Sequence, residues 1–175
     1  QDEYSIIEKG MHFDIIVSLL KIIKFNNEKD VYILYNLIQL LDGLSFYDSL
    51  DSVVGLAIQE LEKFEESQLR AKIGCDIFNA AGLAYLSSDK NKALISFLCV
   101  KQLLDKFLPK EEKALMAYYC NMGLAYSKID FEKANQFLQE ALEREKQYYG
   151  EYSMEVADVY HNIGKNYLSI SDYEN

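Results

Sequence analysis

The sequence predicts an all-α fold, a stack of antiparallel helix pairs, and three observations carry the prediction. The first is a repeat. Gly-Leu-Ala-Tyr occurs at residues 82–85 and 123–126, and Gly164-Lys165-Asn166-Tyr167 follows in the same register. Gly82, Gly123 and Gly164 stand 41 residues apart, as do Tyr85, Tyr126 and Tyr167, while Asp89, Lys92 and Ala93 return as Asp130, Lys133 and Ala134. Tyr119 and Asn121 return as Tyr160 and Asn162, and the breakers Pro109 and Gly150 keep the same interval. A fixed period of this size marks units that bury their apolar faces against one another. The second observation is composition: half the residues are apolar and there is one proline, which suits long helices better than short strands and turns. The third is spacing, since apolar residues recur every three or four positions along most of the chain.

Taken in order, residues 4–25 place Phe13, Ile16, Leu19, Leu20 and Ile23 on one helical stripe. Asn26-Asn27-Glu28-Lys29-Asp30 is a polar break, with Asp30 as the expected N-cap of a helix over 31–41. That helix is apolar almost all round and should lie between neighbours. Asp42-Gly43 ends it, residues 45–49 form a loop, and a helix over 50–65 aligns Val53, Val54, Ala57, Leu61 and Phe64. From residue 66 the repeat is plain. Helices are expected over 68–86 and 90–107, with Asp89 as N-cap between them. The next pair covers 110–128 and 131–149, with Pro109 in its first turn and Gly150 as its C-terminal stop. A helix over 151–170 opens a third pair, whose partner Tyr173-Glu174-Asn175 can only begin. The division is thus 1–66, irregular or degenerate, and 67–175, regular repeats at about 68–108, 109–149 and a truncated 150–175. The half-covered face of the last helix leads us to expect a piece of a longer protein, and to expect that face to promote pairing between chains.

A glycine inside a helix costs about 1 kcal/mol relative to alanine, so three at one register need a packing reason. Ala93 and Ala134 occupy the facing position of each second helix, and small against small would let the two helices approach closely. The tyrosines one turn on would fill the space between neighbouring pairs.

The pattern Tyr119, Met122, Gly123, Tyr126, Ala134, Leu138, Ala141, and before it Phe78, Ala81, Gly82, Tyr85, Ala93, Phe97, Val100, resembles the tetratricopeptide repeat. Tyr160, Ile163, Gly164 and Tyr167 supply a third copy. The match covers residues 70–175 and fades in the N-terminal third. There Tyr35-Asn36-Leu37 and Ala57 fit a degenerate unit with Ile38 in the glycine position. The 41-residue interval exceeds the usual length of about 34, as in kinesin light chains and many bacterial regulators, and implies helices about a turn longer. The resemblance implies a right-handed superhelical stack, a tetratricopeptide-like α-solenoid, whose first helices line a concave groove for a peptide or partner helix. Carried over by position, that groove would be lined by Asp76, Asn79, Leu83 and Leu86, then Ala117, Cys120, Leu124 and Ser127, then Asp158, His161, Lys165 and Leu168. The Asn79 amide could pair with both a backbone N–H and a C=O of a bound peptide. In the family the position of Asn121 and Asn162 serves packing between repeats. Clamps for a peptide carboxylate need several basic groove residues, and here only Lys165 and Lys128 qualify.

The net charge is −10 and the pI about 4.7, with no basic run that would supply a nucleic-acid footprint. The acidic surface reads as solvation, or as attraction for a basic partner. Cys75, Cys99 and Cys120 have no CxxC spacing and sit in apolar helical patterns, which fits reduced, buried thiols in a cytoplasmic protein. The most apolar segment, 11–25, is broken by Asp14, Lys21 and Lys24 and falls short of a membrane span. His12 and His161 have no metal-ligand companions, and no phosphate loop or nucleophile elbow is present. Glu140, Glu143 and Glu145, beside Arg144 and Lys146, read as a solvated face. No enzyme site, cofactor or metal is expected. The expectation is a non-catalytic module binding a protein or peptide in the groove. Two alternatives are the peptide-sensing part of a Gram-positive helix-turn-helix transcriptional regulator, without direct nucleic-acid binding by these residues, and a structural scaffold that dimerises through the open C-terminal repeat.

Overall fold

The computed structural model describes Ser18 and residues 24–171, the last three by their backbone alone. Of the helix expected over 4–25 only Ser18, Lys24 and Phe25 are described, and Lys24 and Phe25 are not helical, so that helix ends earlier than expected. The rest of it and the partner helix begun by Tyr173 lie outside the described residues. Within them the chain is all-helical, with seven α-helices and no strand. A 3-10 turn, Glu28–Val31, leads into α1 (Tyr32–Gly43), followed by α2 (Tyr47–Glu62), α3 (Gln68–Tyr85), α4 (Lys90–Phe107), α5 (Glu112–Tyr126), α6 (Phe131–Tyr149) and α7 (Met154–Ser171). Short connections fold α3 onto α4 and α5 onto α6 as hairpins, and α7 packs on α6. The helices α1, α2 and α3 are mutually packed, so the irregular N-terminal part joins the same stack.

Side-chain caps set most of the helix starts. The Ser67 hydroxyl accepts the Arg70 N–H at 3.0 Å and opens α3. Asp89 accepts the N–H groups of Asn91 (3.0 Å) and Lys92 (3.1 Å), and Asp130 accepts that of Lys133 (3.0 Å). Each satisfies donors that the first helical turn leaves orphaned. Asp89→Ala and Asp130→Ala are each expected to lower stability by about 1 kcal/mol, read from the urea midpoint of the helical circular dichroism signal. At the other end of α6, Gly150 takes φ +90° and its N–H bonds the Lys146 carbonyl at 3.0 Å, the expected stop.

Three more expected boundaries move. Asp30 does not cap α1: Asn27 caps the preceding 3-10 turn, and the Asp30 carboxylate reaches back to the N–H groups of Asn26 (2.8 Å) and Asn27 (3.2 Å). Two Asx residues three apart made a reciprocal box, and the cap is the earlier one. Pro109 lies in a turn before α5 rather than in its first turn, because Leu108 has left helical geometry and the Glu111 N–H closes onto the Leu108 carbonyl (3.1 Å). The loop expected over 45–49 shrinks, since α2 begins at Tyr47.

The main apolar cluster runs from Val31 through α1 to α5 and includes Leu34, Ile38, Val53, Ile77, Phe97 and Met122. A second cluster, Leu138, Ala141, Leu142, Val156, Val159 and Ile163, joins α6 to α7, with Tyr119 and Cys120 packed against it. The glycines explain themselves here, though not as small against small. A Cβ on Gly82 would lie 2.3 Å from Cε1 of Phe97, and one on Gly123 would lie 2.6 Å from Cγ of Leu138. The glycine is a socket for a large side chain 15 residues later, four beyond the alanine. Ala134 contributes only its carbonyl, 3.3 Å from the position of that second Cβ.

Candidate functional site

The proposed lining residues lie on α3, α5 and α7, the first helices of the three units. On α3, Asp76 is half-buried and its Oδ2 accepts a 2.6 Å hydrogen bond from the Tyr32 hydroxyl of α1. Burial, and then the Asp76 carboxylate, push that phenol up to about 12. One turn on, the Asn79 Oδ1 accepts from Asn121 Nδ2 of α5 at 3.3 Å. The two bonds form a polar seam across α1, α3 and α5. They bear on the expectation for Asn79: one lone pair of its Oδ1 is taken by Asn121, while the other lone pair and the Nδ2 donors can still meet the N–H and C=O of a ligand. Asn121 ties one repeat to the next. Leu83 is 44% exposed, whereas Leu86 is half-buried against the main cluster.

On α5, Ala117 is exposed and Leu124 and Ser127 are half-buried, with the Ser127 hydroxyl donating to the Leu124 carbonyl at 2.9 Å. Cys120 turns inward. Its Sγ lies 3.7 Å from Oε1 of Glu145 on α6, and it packs on the α6–α7 cluster. Burial, followed by the Glu145 charge, pushes its thiol up to about 12. Cys75, also at about 12, is raised chiefly by burial, and Cys99 is raised for the same reason. None of the three thiols is poised as a nucleophile near neutral pH. On α7, Asp158, His161, Lys165 and Leu168 are exposed, at positions spaced by three, four and three along one face.

Glu145 departs most from the sequence reading. Glu140 and Glu143 behave as surface charges, the first paired with Arg144 Nε at 2.7 Å, but Glu145 is 8% exposed. It follows Leu138, Ala141 and Leu142 at helical spacing and so falls on the packed face of α6, a signal present in the sequence but hidden by the surrounding charges. Its Oε2 is buried without a hydrogen-bond partner. Burial raises its pKa above the ordinary carboxylate range, the Cys120 S–H opposes that rise, and the negative charges of Glu155 and Asp158 add to it. The folded chain therefore holds this proton more tightly than the unfolded chain does. Ionising Glu145 costs stability as pH rises through the raised value, and the cost vanishes as pH falls toward the ordinary carboxylate range. Glu145→Gln is expected to raise stability near pH 8 by about 1 kcal/mol and to leave it nearly unchanged near pH 4, measured by urea unfolding at both values.

A separate cavity of about 170 Å³ opens between α2, α3 and α4, lined chiefly by Leu61, Gly74, Phe78, Leu103 and Phe107. Arg70 borders it but donates to the Phe64 carbonyl at 3.0 Å, and Glu66 beside it pairs with Lys106 at 2.9 Å. The cavity thus carries little polar chemistry to orient a ligand. Among the described residues no group of three His, Cys, Asp or Glu side chains could hold a metal ion, and no helix is long and apolar enough to cross a membrane.

Compared with protein-family models, curated proteins and solved structures, the chain matches none.

Proposed function

We propose that this chain is a non-catalytic binding module, a tetratricopeptide-like superhelical stack that holds an extended peptide or partner segment along the concave face of α3, α5 and α7. One observation supports it most. Leu83 and Leu168 are exposed (44% and 68%) on that face beside the polar groups of Asn79, Asp158, His161 and Lys165. Exposed leucines among directional polar groups are what an extended peptide requires, with apolar pockets for alternate side chains and amides for the backbone. Asp158 and Lys165 sit one on each side of His161, so such a ligand would carry mixed charge.

The test is selection from a displayed library of random peptides, then calorimetric titration of the selected peptide. Leu83→Asp and Lys165→Ala are each expected to weaken binding by about tenfold. Equal affinity across the wild type and both variants would remove the groove from consideration.

A further inference from the structure

The cavity between α2, α3 and α4 lies where the first regular unit departs from the second. Four of its lining residues, Gly74, Phe78, Leu103 and Phe107, stand 41 positions before Leu115, Tyr119, Arg144 and Tyr148. In the second unit Leu115 packs on the main cluster, and the Arg144 guanidinium covers the Tyr119 ring, 5.1 Å from its centroid. The first unit has glycine for that leucine, leucine for that arginine, and phenylalanine for each tyrosine. Leu103 Cδ1 stands 2.8 Å from where a Cβ on Gly74 would lie, and about 170 Å³ remains beside it. Bulk and polar tips are missing at the same four places.

Empty space of this size costs stability in a close-packed interior. Its chemistry is that of an apolar receptor. A cavity of about 150 Å³ walled by Leu, Ile and Phe stays dry and takes up benzene. The walls here, Leu61, Phe78, Leu103 and Phe107, are of that kind. The charges at the rim are engaged elsewhere. Glu66 pairs with Lys106 at 2.9 Å, Arg70 donates to the Phe64 carbonyl at 3.0 Å, and Glu62 is exposed to solvent.

We infer that this cavity is a binding site for an uncharged apolar ligand the size of one six-membered ring. Its occupant touches α2 of the irregular N-terminal part together with α3 and α4 of the first repeat, and so ties the two parts together. The lining includes none of the proposed groove residues, and the site is therefore independent of the peptide groove.

The probe is toluene, titrated into the full chain carrying isotope-labelled methyl groups and followed by NMR. Saturable shifts are expected, largest at Ile58, Leu61 and Leu103, with a matching rise in the urea midpoint. Ala71→Leu puts bulk into the space, and Gly74→Ala pushes Leu103 across it. Each should weaken binding by about tenfold or more while the helical circular dichroism is kept. Benzoate and benzylamine, which add a charge to the same ring, should bind about tenfold more weakly than toluene. No saturable shift in the wild type would overturn the inference, as would shifts centred on the groove leucines Leu83 and Leu124. Binding indifferent to both substitutions would place toluene elsewhere and overturn it too. Tighter binding of either charged analogue would overturn the assignment of an uncharged ligand.

Discussion

Phe97→Ala is expected to lower the stability of the protein by about 3–5 kcal/mol, the largest effect of any single truncation in the repeats. Phe97 is 0% exposed, and its ring occupies the space left by the missing Cβ of Gly82. Its removal deletes the transfer free energy of an aromatic ring and opens a cavity against a helix backbone that cannot collapse further. Urea unfolding followed by circular dichroism should show the midpoint falling. Adding Gly82→Ala to the truncated protein should recover part of the loss, because the new methyl enters the vacated space. The two substitutions are in contact and should be non-additive in that direction.

Gly82→Ala and Gly164→Ala should have opposite signs although the residues occupy the same register. In an exposed helix interior the exchange stabilises by about 1 kcal/mol through backbone entropy. Gly164 has open space where the methyl would go, so it should show that gain. At Gly82 the methyl would lie 2.3 Å from a fully buried ring, and the overpacking penalty of about 1–3 kcal/mol should outweigh the propensity term. The pair of midpoints, measured under one set of conditions, reads the packing term with propensity held constant.

Much of this arrangement was legible from the repeat itself. The 41-residue register placed Gly82, Tyr85, Asp89 and Asp130, and the caps at Asp89 and Asp130 form because a short polar side chain before an apolar periodic run has few other uses. The facing residue was misread because sequence spacing gives a helical face and not a depth. Ala93 shares that face, but Phe97 is long enough to reach the glycine. The cap expected at Asp30 was misplaced because its carboxylate reaches back to the N–H groups of Asn26 and Asn27, leaving Asn27 as the cap of the 3-10 turn. Glu145 was hidden by composition, since a charged stretch suggests solvent even where one of its members falls on the packed side. Of the candidate site, the helices could be read from the pattern. The seam of Tyr32 with Asp76 and Asn79 with Asn121 could not, because it joins residues 44 and 42 positions apart on different helices.

The proposed groove is tested most directly by where a bound peptide lies. A library-selected peptide carrying a benzophenone side chain can be photo-crosslinked to the protein and the attachment points located by mass spectrometry. Crosslinks should fall on α3, α5 and α7, at or beside Leu83, Leu124 and Lys165. Crosslinks confined to the exposed apolar side chains of α4, Ile95 (61% exposed) and Leu98 (47%), would place the ligand on the second helices and contradict the proposed groove.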